Sequence, residues 1–216
     1  AISAWPSTAT SANDGSRVLS ANFIAHLFAC NKFSSRSRHP DTYLPVYIAF
    51  AIHHTNTGEE AVYAALVLLQ RLKGRYPKDT RSSGHKLFIA AFMVASKFLY
   101  DESYKNSTWR KIAQKLYSLP EINQMERELC FHLEWDIALD TPTISNFRAL
   151  VSRDFHPGAS RPYPTYPTET AYKRRRPNRR ENIQLTSHRR AQCSSRVEFS
   201  SHTDSACRKL VPITQT

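Results

Sequence analysis

The chain has 216 residues, with 30 Lys and Arg against 18 Asp and Glu and only five glycines. That length suits one domain with flexible ends. The scarcity of glycine fits the absence of G-x-x-x-x-G-K, G-x-G-x-x-G and G-x-S-x-G motifs, and H-E-x-x-H is missing too, so no nucleotide cradle, nucleophile elbow or zincin helix is present. The positive charge is concentrated late in the chain: residues 1–156 hold 18 basic and 14 acidic side chains, residues 157–216 hold 12 and 4. The basic character therefore describes the tail more than the folded part, and points to an anionic partner or an import receptor for that tail.

Residues 1–16 are small and polar and are expected to be disordered. From Arg17 to Asn31, Leu19, Phe23, Ile24, Leu27 and Phe28 mark one face of a packing helix, with Asp14 or Ser16 as its cap. Pro45 suits the first turn of a second helix over about 45–55. Thr57 followed by Glu60 offers a capping box for a third over about 58–73, with Glu59 and Glu60 at its positive end, Arg71 and Lys73 at its negative end, and Gly74 as its stop.

The fourth helix, over about 82–100, is the hub. Nine consecutive apolar residues, Leu87 to Ala95, make it greasy all round, yet fall far short of the roughly 18–20 needed to cross a bilayer. A fifth helix (about 107–117) carries Trp109, Ile112, Ala113 and Leu116, and a sixth (about 119–134) starts from a second capping box, Ser118 with Glu121. Thr141-Pro142 opens a shorter helix with Ile144, Phe147, Leu150 and Val151. No stretch alternates as a strand does, so the fold class is all-α, a compact helical domain over 17–154. From residue 155 onward the chain turns to proline, arginine and serine with few large aliphatics, and is expected to be disordered.

Four cysteines, Cys30, Cys130, Cys193 and Cys207, show no C-x-x-C spacing, and the N-terminus has no charged start before an apolar run. The expectation is an intracellular protein with reduced thiols and no signal peptide, in the nucleus, the cytoplasm or both. His188, Cys193, His202 and Cys207 do not have finger spacing, and no cofactor or metal is implied.

Two charges sit where apolar residues belong. Lys97 ends a row with Lys86, Ala90 and Met93 on the hub helix, and Glu126 shares the face of Ile122 and Leu129 on the sixth. Either they form an internal salt bridge or snorkel to the rim, or they form a polar rim that binds a partner chain.

HKLFIAAFMVASKFLYDE, then NSTWRKIAQKL, then EINQMERELCFHLEWDI together resemble the cyclin box, most closely the fungal PCL group of cyclins, which partner the phosphate-pathway cyclin-dependent kinase. The motifs that carry the resemblance are S-K-F at 96–98, M-E-x-x-x-C at 125–130 and W-D-I at 135–137. It implies a single five-helix cyclin box at about 43–137 preceded by the packing helix, and a non-catalytic subunit that activates a protein kinase by favouring its active conformation. It also implies that Lys97 and Glu126 form an exposed pair holding kinase backbone, with Phe98, Cys130, Trp135 and Ile137 as apolar neighbours of that interface; Trp135 could equally be core. The second helix, PVYIAFAIHH, departs from the M-R-A-I-L…W pattern by which mitotic cyclins capture R-x-L substrates. In the tail, Lys173, Arg174, Arg175, Arg176, Arg179 and Arg180 make a nuclear-import candidate, though a solvated basic run fits as well. The alternatives are a helical protein that binds nucleic acid through the tail, disfavoured by the folded part's small net charge, and a cyclin-box scaffold without kinase activation. No membrane partner is expected.

Overall fold

The computed structural model describes residues 11–37, 39–78 and 83–167, with side chains from residue 15 onward. Among these residues there are seven α-helices and no strand. Residues 1–10, the import candidate at 173–180, and Cys193 and Cys207 lie outside the described residues.

The helices are α1 Ser11–Phe28, α2 Leu44–Thr55, α3 Glu59–Arg75, α4 Gly84–Leu99, α5 Asn106–Ile112, α6 Leu119–His132 and α7 Thr141–Asp154. α4 packs against α3, α6, α1 and α2, and every residue from Leu87 to Ser96 is buried. The nine-residue apolar run is thus explained by neighbours on all sides. α3 is an equal partner in the core, buried without a break from Ala61 to Leu72. Rings extend the core along α4: Phe88 and Phe92 stack at 5.2 Å, and Trp109 of α5 meets Phe92 edge-on at 5.7 Å. Each such side chain contributes about 1.5–3 kcal/mol by leaving water.

Helix ends explain where the elements depart from their expected bounds. α1 begins at Ser11, inside the segment expected to be disordered, and Ser16 is buried within it, its carbonyl accepting the Ser20 hydroxyl at 2.7 Å instead of its side chain capping the helix. The capping box expected at Thr57 does not form. Gly58 is the N-cap of α3, and the Thr57 hydroxyl pairs with that of Thr55 at 2.8 Å. Gly74 does not stop α3, which ends one residue later with Tyr76 as C-cap. α5 ends at Ile112 and not near residue 117, because Gln114 and Lys115 adopt left-handed backbone (φ 52° and 56°). Their amides donate to the carbonyls of Lys111 and Arg110, at 2.9 and 3.0 Å, in a Schellman closure. The turn redirects the chain so that Tyr117 is buried. Leu116 continues the apolar spacing of α5, which is why periodicity alone overruns the helix.

The Ser118–Glu121 box does form. The Ser118 amide donates to Glu121 Oε2 at 2.8 Å, and the Glu121 amide donates to Ser118 Oγ. The Ser118 amide, and then the Arg36 guanidinium at 2.7 Å, hold the Glu121 carboxyl down at about 2.

The expected disorder from residue 155 is overturned for residues 155–167, which fold back as a strap. Phe155 is fully buried, Tyr163 stacks on it at 4.7 Å, and Tyr166 lies against Phe23 of α1 and Phe147 of α7. The Tyr166 hydroxyl donates to Asp154 at 2.9 Å, and Gln70 of α3 donates to the Tyr166 carbonyl at 3.0 Å. Few aliphatics are present, but three aromatic rings pack the segment against α1 and α7.

Candidate functional site

Lys97 lies in the last turn of α4, Glu126 in the middle of α6, and Asn106 opens α5. The three converge. Lys97 Nζ donates to Glu126 Oε1 at 2.6 Å and to Asn106 Oδ1 at 2.6 Å, while Asn106 Nδ2 donates to Glu126 Oε2 at 2.7 Å and to Asn123 Oδ1 at 2.8 Å. The result is a closed ring of three side chains from three helices. Of the alternatives left open by spacing, the salt bridge exists, and each partner keeps 26 % of its side chain exposed. Asn106 was not found from the sequence. Its position at the start of α5 was visible, but nothing in the spacing linked it to residues 9 and 20 positions away.

An ammonium has three donors and a carboxylate about four acceptor positions. Among the described residues, two Lys97 donors and one bond to each Glu126 oxygen are used. The ring therefore offers a spare N–H and spare carboxylate lone pairs to one approaching segment. Backbone C=O and N–H groups have the matching polarity.

The apolar candidates divide by exposure. Phe98, next to Lys97, is 42 % exposed and Trp135 71 % exposed, so Trp135 is not core. Cys130, one turn after Glu126, is buried, and Ile137 is partly buried against the core. Burial, and then the Glu126 carboxylate, push the Cys130 thiol up from its ordinary value, so it is a packing group and not a nucleophile. Phe131, also 71 % exposed, was missed by sequence reasoning, because it falls on the polar side of α6, and an apolar residue there is unremarkable in a single sequence.

Trp135 is held out by its backbone. α6 ends in a second Schellman closure, in which Glu134 and Trp135 have φ of 52° and 61° and donate to the carbonyls of Phe131 and Cys130, both at 2.9 Å. Left-handed backbone costs a non-glycine residue about 1–2 kcal/mol, so the surroundings must impose it. They do so through α3. Arg71, buried, donates to the carbonyls of Asp136 and Ala138 at 3.1 and 2.8 Å, and Arg75 pairs with Glu134 at 2.7 Å and with Asp136 at 3.4 Å. Arg71 thus clamps the W-D-I turn in addition to complementing the negative end of α3.

Hydrogen-bonding and exposed apolar side chains line this surface. Among the described residues no three His, Cys, Asp or Glu side chains gather into a metal-binding group. His53 and His54 sit at the end of α2, where His54 Nδ1 meets the Phe50 carbonyl at 2.9 Å and its ring stacks on Phe50.

Residues 27–138, just over half of the chain, match the family described as cyclin, N-terminal domain. PHO85 cyclin-9 of Saccharomyces cerevisiae is 31 % identical over 110 residues, which are 50 % of this chain and 36 % of that protein. PHO85 cyclin-1 of the same yeast is 32 % identical over 101 residues, 45 % of this chain and 36 % of that protein. Cyclin-P3-1 of Oryza sativa is 25 % identical over 111 residues, 51 % of this chain and 46 % of the rice protein. The chain thus spans a little over a third of the length of these yeast relatives.

Proposed function

The chain belongs to the cyclin N-terminal domain family, and we propose that it is a non-catalytic regulatory subunit which binds and activates a cyclin-dependent protein kinase. The names of the yeast relatives point to a kinase of the PHO85 type, and the resemblance to the fungal PCL group supports a link to phosphate or nutrient control. The observation that carries the reading is the Lys97–Glu126–Asn106 ring beside exposed Phe98. Its polar groups are fixed before any partner arrives, so little side-chain entropy remains to be lost on binding.

In this mechanism the ring holds backbone of the kinase near its mobile regulatory helix, and Phe98, Phe131 and Trp135 supply apolar anchors around it. Cys130 and Ile137 support that surface from beneath. The chain contributes no reacting group. It binds the kinase conformation with a docked regulatory helix and a formed lysine–glutamate pair more tightly than the inactive one, and so shifts the population. Moving such an equilibrium from 1:99 to 99:1 takes about 5.5 kcal/mol of differential binding, within reach of an interface of roughly 1,600 Å² with two or three strong anchors. The same reading expects the protein in the nucleus, the cytoplasm or both, with the basic run at 173–180 as a ligand for an import receptor.

The experiment is co-purification with a kinase of this type followed by a peptide phosphorylation assay. The wild-type chain is expected to bind and stimulate. A folded wild-type chain that does neither overturns the reading, and binding without stimulation makes it a scaffold.

A further inference from the structure

The strap at 155–167 does more than cover α1. Together with α1 and the loop after it, the strap borders an open cleft of about 770 Å³, separate from the Lys97–Glu126 ring and sharing no residue with it. The strap brings Arg161 to the cleft, the loop brings Lys32, and α1 brings His26 and Asn22. None of the lining side chains is a carboxylate. Lys32 Nζ donates only to Asn22 Oδ1, and Arg161 lies over the Tyr163 ring at 5.4 Å. Among the described residues neither cation has an ion-pair partner.

Folding therefore draws two positive charges toward one another and supplies nothing to neutralise them. Some cations elsewhere on the described surface are paired, as in Arg36–Glu121, Lys86–Glu128 and Arg148–Glu59. The ammonium of Lys32 carries the consequence: burial, and then repulsion from Arg161, lower its pKa. A dianion in the cleft would relieve both. The walls are equally informative. Phe33, 65 % exposed, leans on Tyr43 with ring centroids 5.0 Å apart, and Tyr163 faces the cleft from the strap. The volume is many times that of one phosphate group, and the aromatic walls suit side chains flanking it.

We infer that this cleft binds a phosphorylated serine or threonine carried on a segment of a partner protein. Lys32 and Arg161 meet the phosphoryl oxygens, with Asn22 orienting the lysine, and Phe33, Tyr43 and Tyr163 receive the neighbouring residues of the peptide. A phosphoryl group brings a charge of about −1.5 to −2 and three strong acceptors, which suits a cleft lined by two cations. The inference does not depend on kinase binding, since the two surfaces share no side chain.

The test is fluorescence polarisation of the full chain with a labelled degenerate peptide library centred on phosphoserine, the same library with unmodified serine, and inorganic phosphate as competitor. The phosphorylated library is expected to bind at least about tenfold tighter than the unmodified one, with affinity falling as salt is raised. Arg161→Ala and Lys32→Ala should each weaken it about tenfold, the scale of one charge-assisted hydrogen bond, whereas Lys111→Ala, outside the cleft, should not. Lys32 also bonds Asn22, so thermal melting accompanies its variant; Arg161 is exposed, and its truncation leaves the strap's buried rings in place. Equal binding of the two libraries, unchanged binding by Arg161→Ala, or inorganic phosphate binding as tightly as the phosphorylated library would each overturn the inference.

Discussion

Lys97 and Glu126 are joined twice, directly at 2.6 Å and through Asn106, which accepts from the lysine and donates to the carboxylate. The second link separates a binding role from a structural one. A partly exposed ion pair contributes at most about 1 kcal/mol to stability, whereas a central interface anchor is worth about 2 kcal/mol or more in binding. Lys97→Ala and Glu126→Ala are each expected to weaken kinase binding by at least about 2 kcal/mol while changing the unfolding free energy by about 1 kcal/mol or less. Asn106→Ala should fall between wild type and these variants, and a double-mutant cycle with Lys97→Ala should show coupling of about 0.5–3 kcal/mol. Affinity unchanged in Lys97→Ala together with Glu126→Ala would remove this ring from the interface.

Trp135 and Trp109 should respond in opposite ways to the same change. Trp109 is fully buried against Phe92, so Trp109→Ala is expected to cost about 3–5 kcal/mol of stability. Trp135 is 71 % exposed, so Trp135→Ala should leave stability within about 0.5 kcal/mol and instead reduce kinase affinity by about 2 kcal/mol or more. Urea unfolding beside affinity titration of both variants checks the pair, and a large stability loss in Trp135→Ala would return that ring to the core.

The contrast between these tryptophans bears on what a single sequence can reveal. Apolar periodicity and helix-end signals located all seven helices, because burial repeats along one element and the end signals lie within a turn of each terminus. It could not place Trp135, whose exposure depends on two left-handed residues and on clamps from Arg71 and Arg75, sixty or more positions earlier. Asn106 was lost for the same reason: its partners lie on two other helices. The strap was misread because disorder was judged from missing aliphatics, while its order rests on Phe155, Tyr163 and Tyr166 finding Phe23 and Phe147. Local signals such as the Ser118–Glu121 box survive, since both partners lie within one turn. Thr57–Glu60 has the same pattern and fails, because the Thr57 hydroxyl is taken by Thr55.

Gly84 opens α4 where α1, α2 and the loop after α1 meet. A Cβ there would lie 2.9 Å from Cys30 Sγ, 3.1 Å from Leu44 Cδ2 and 3.4 Å from Ile24 Cγ2. Alanine favours a helix over glycine by up to about 1 kcal/mol, but overpacking of a tight site costs about 1–3 kcal/mol. Gly84→Ala is therefore expected to destabilise the chain and lower its melting temperature. A rise in melting temperature would show that the three elements can separate at little cost.

His85 makes stability depend on pH. Its Nε2 donates to the Thr42 carbonyl at 2.6 Å, so a proton sits on Nε2, and Nδ1 is buried without a hydrogen-bond partner. Burial lowers its pKa below the ordinary 6.5, with the Thr42 contact opposing more weakly. Between the folded and unfolded values the unfolded chain binds more protons, so stability is fully present above pH 6.5 and is lost as pH falls from there toward the folded value. His26 is shifted the same way by burial. Unfolding in urea at successive pH values below neutrality should show this loss, and His85→Gln should reduce its slope without abolishing it. A wild-type profile flat across this range would contradict the neutral, buried ring.

The strap gives the last expectation. A chain ending at residue 154 would uncover Phe23 and Phe147, leave Gln70 Nε2 without the Tyr166 carbonyl, and release Asp154 from the Tyr166 hydroxyl. A chain ending at residue 167 keeps all four contacts. Phe155 of the strap is fully buried, and Tyr163 and Tyr166 are partly buried against the core. The expectation is that the shorter chain is less stable and that protease cleaves its α1 and α7 first. Comparing urea midpoints of the two truncations isolates the strap from everything after residue 167, and equal midpoints would mean that its aromatic packing does no more than balance its own ordering.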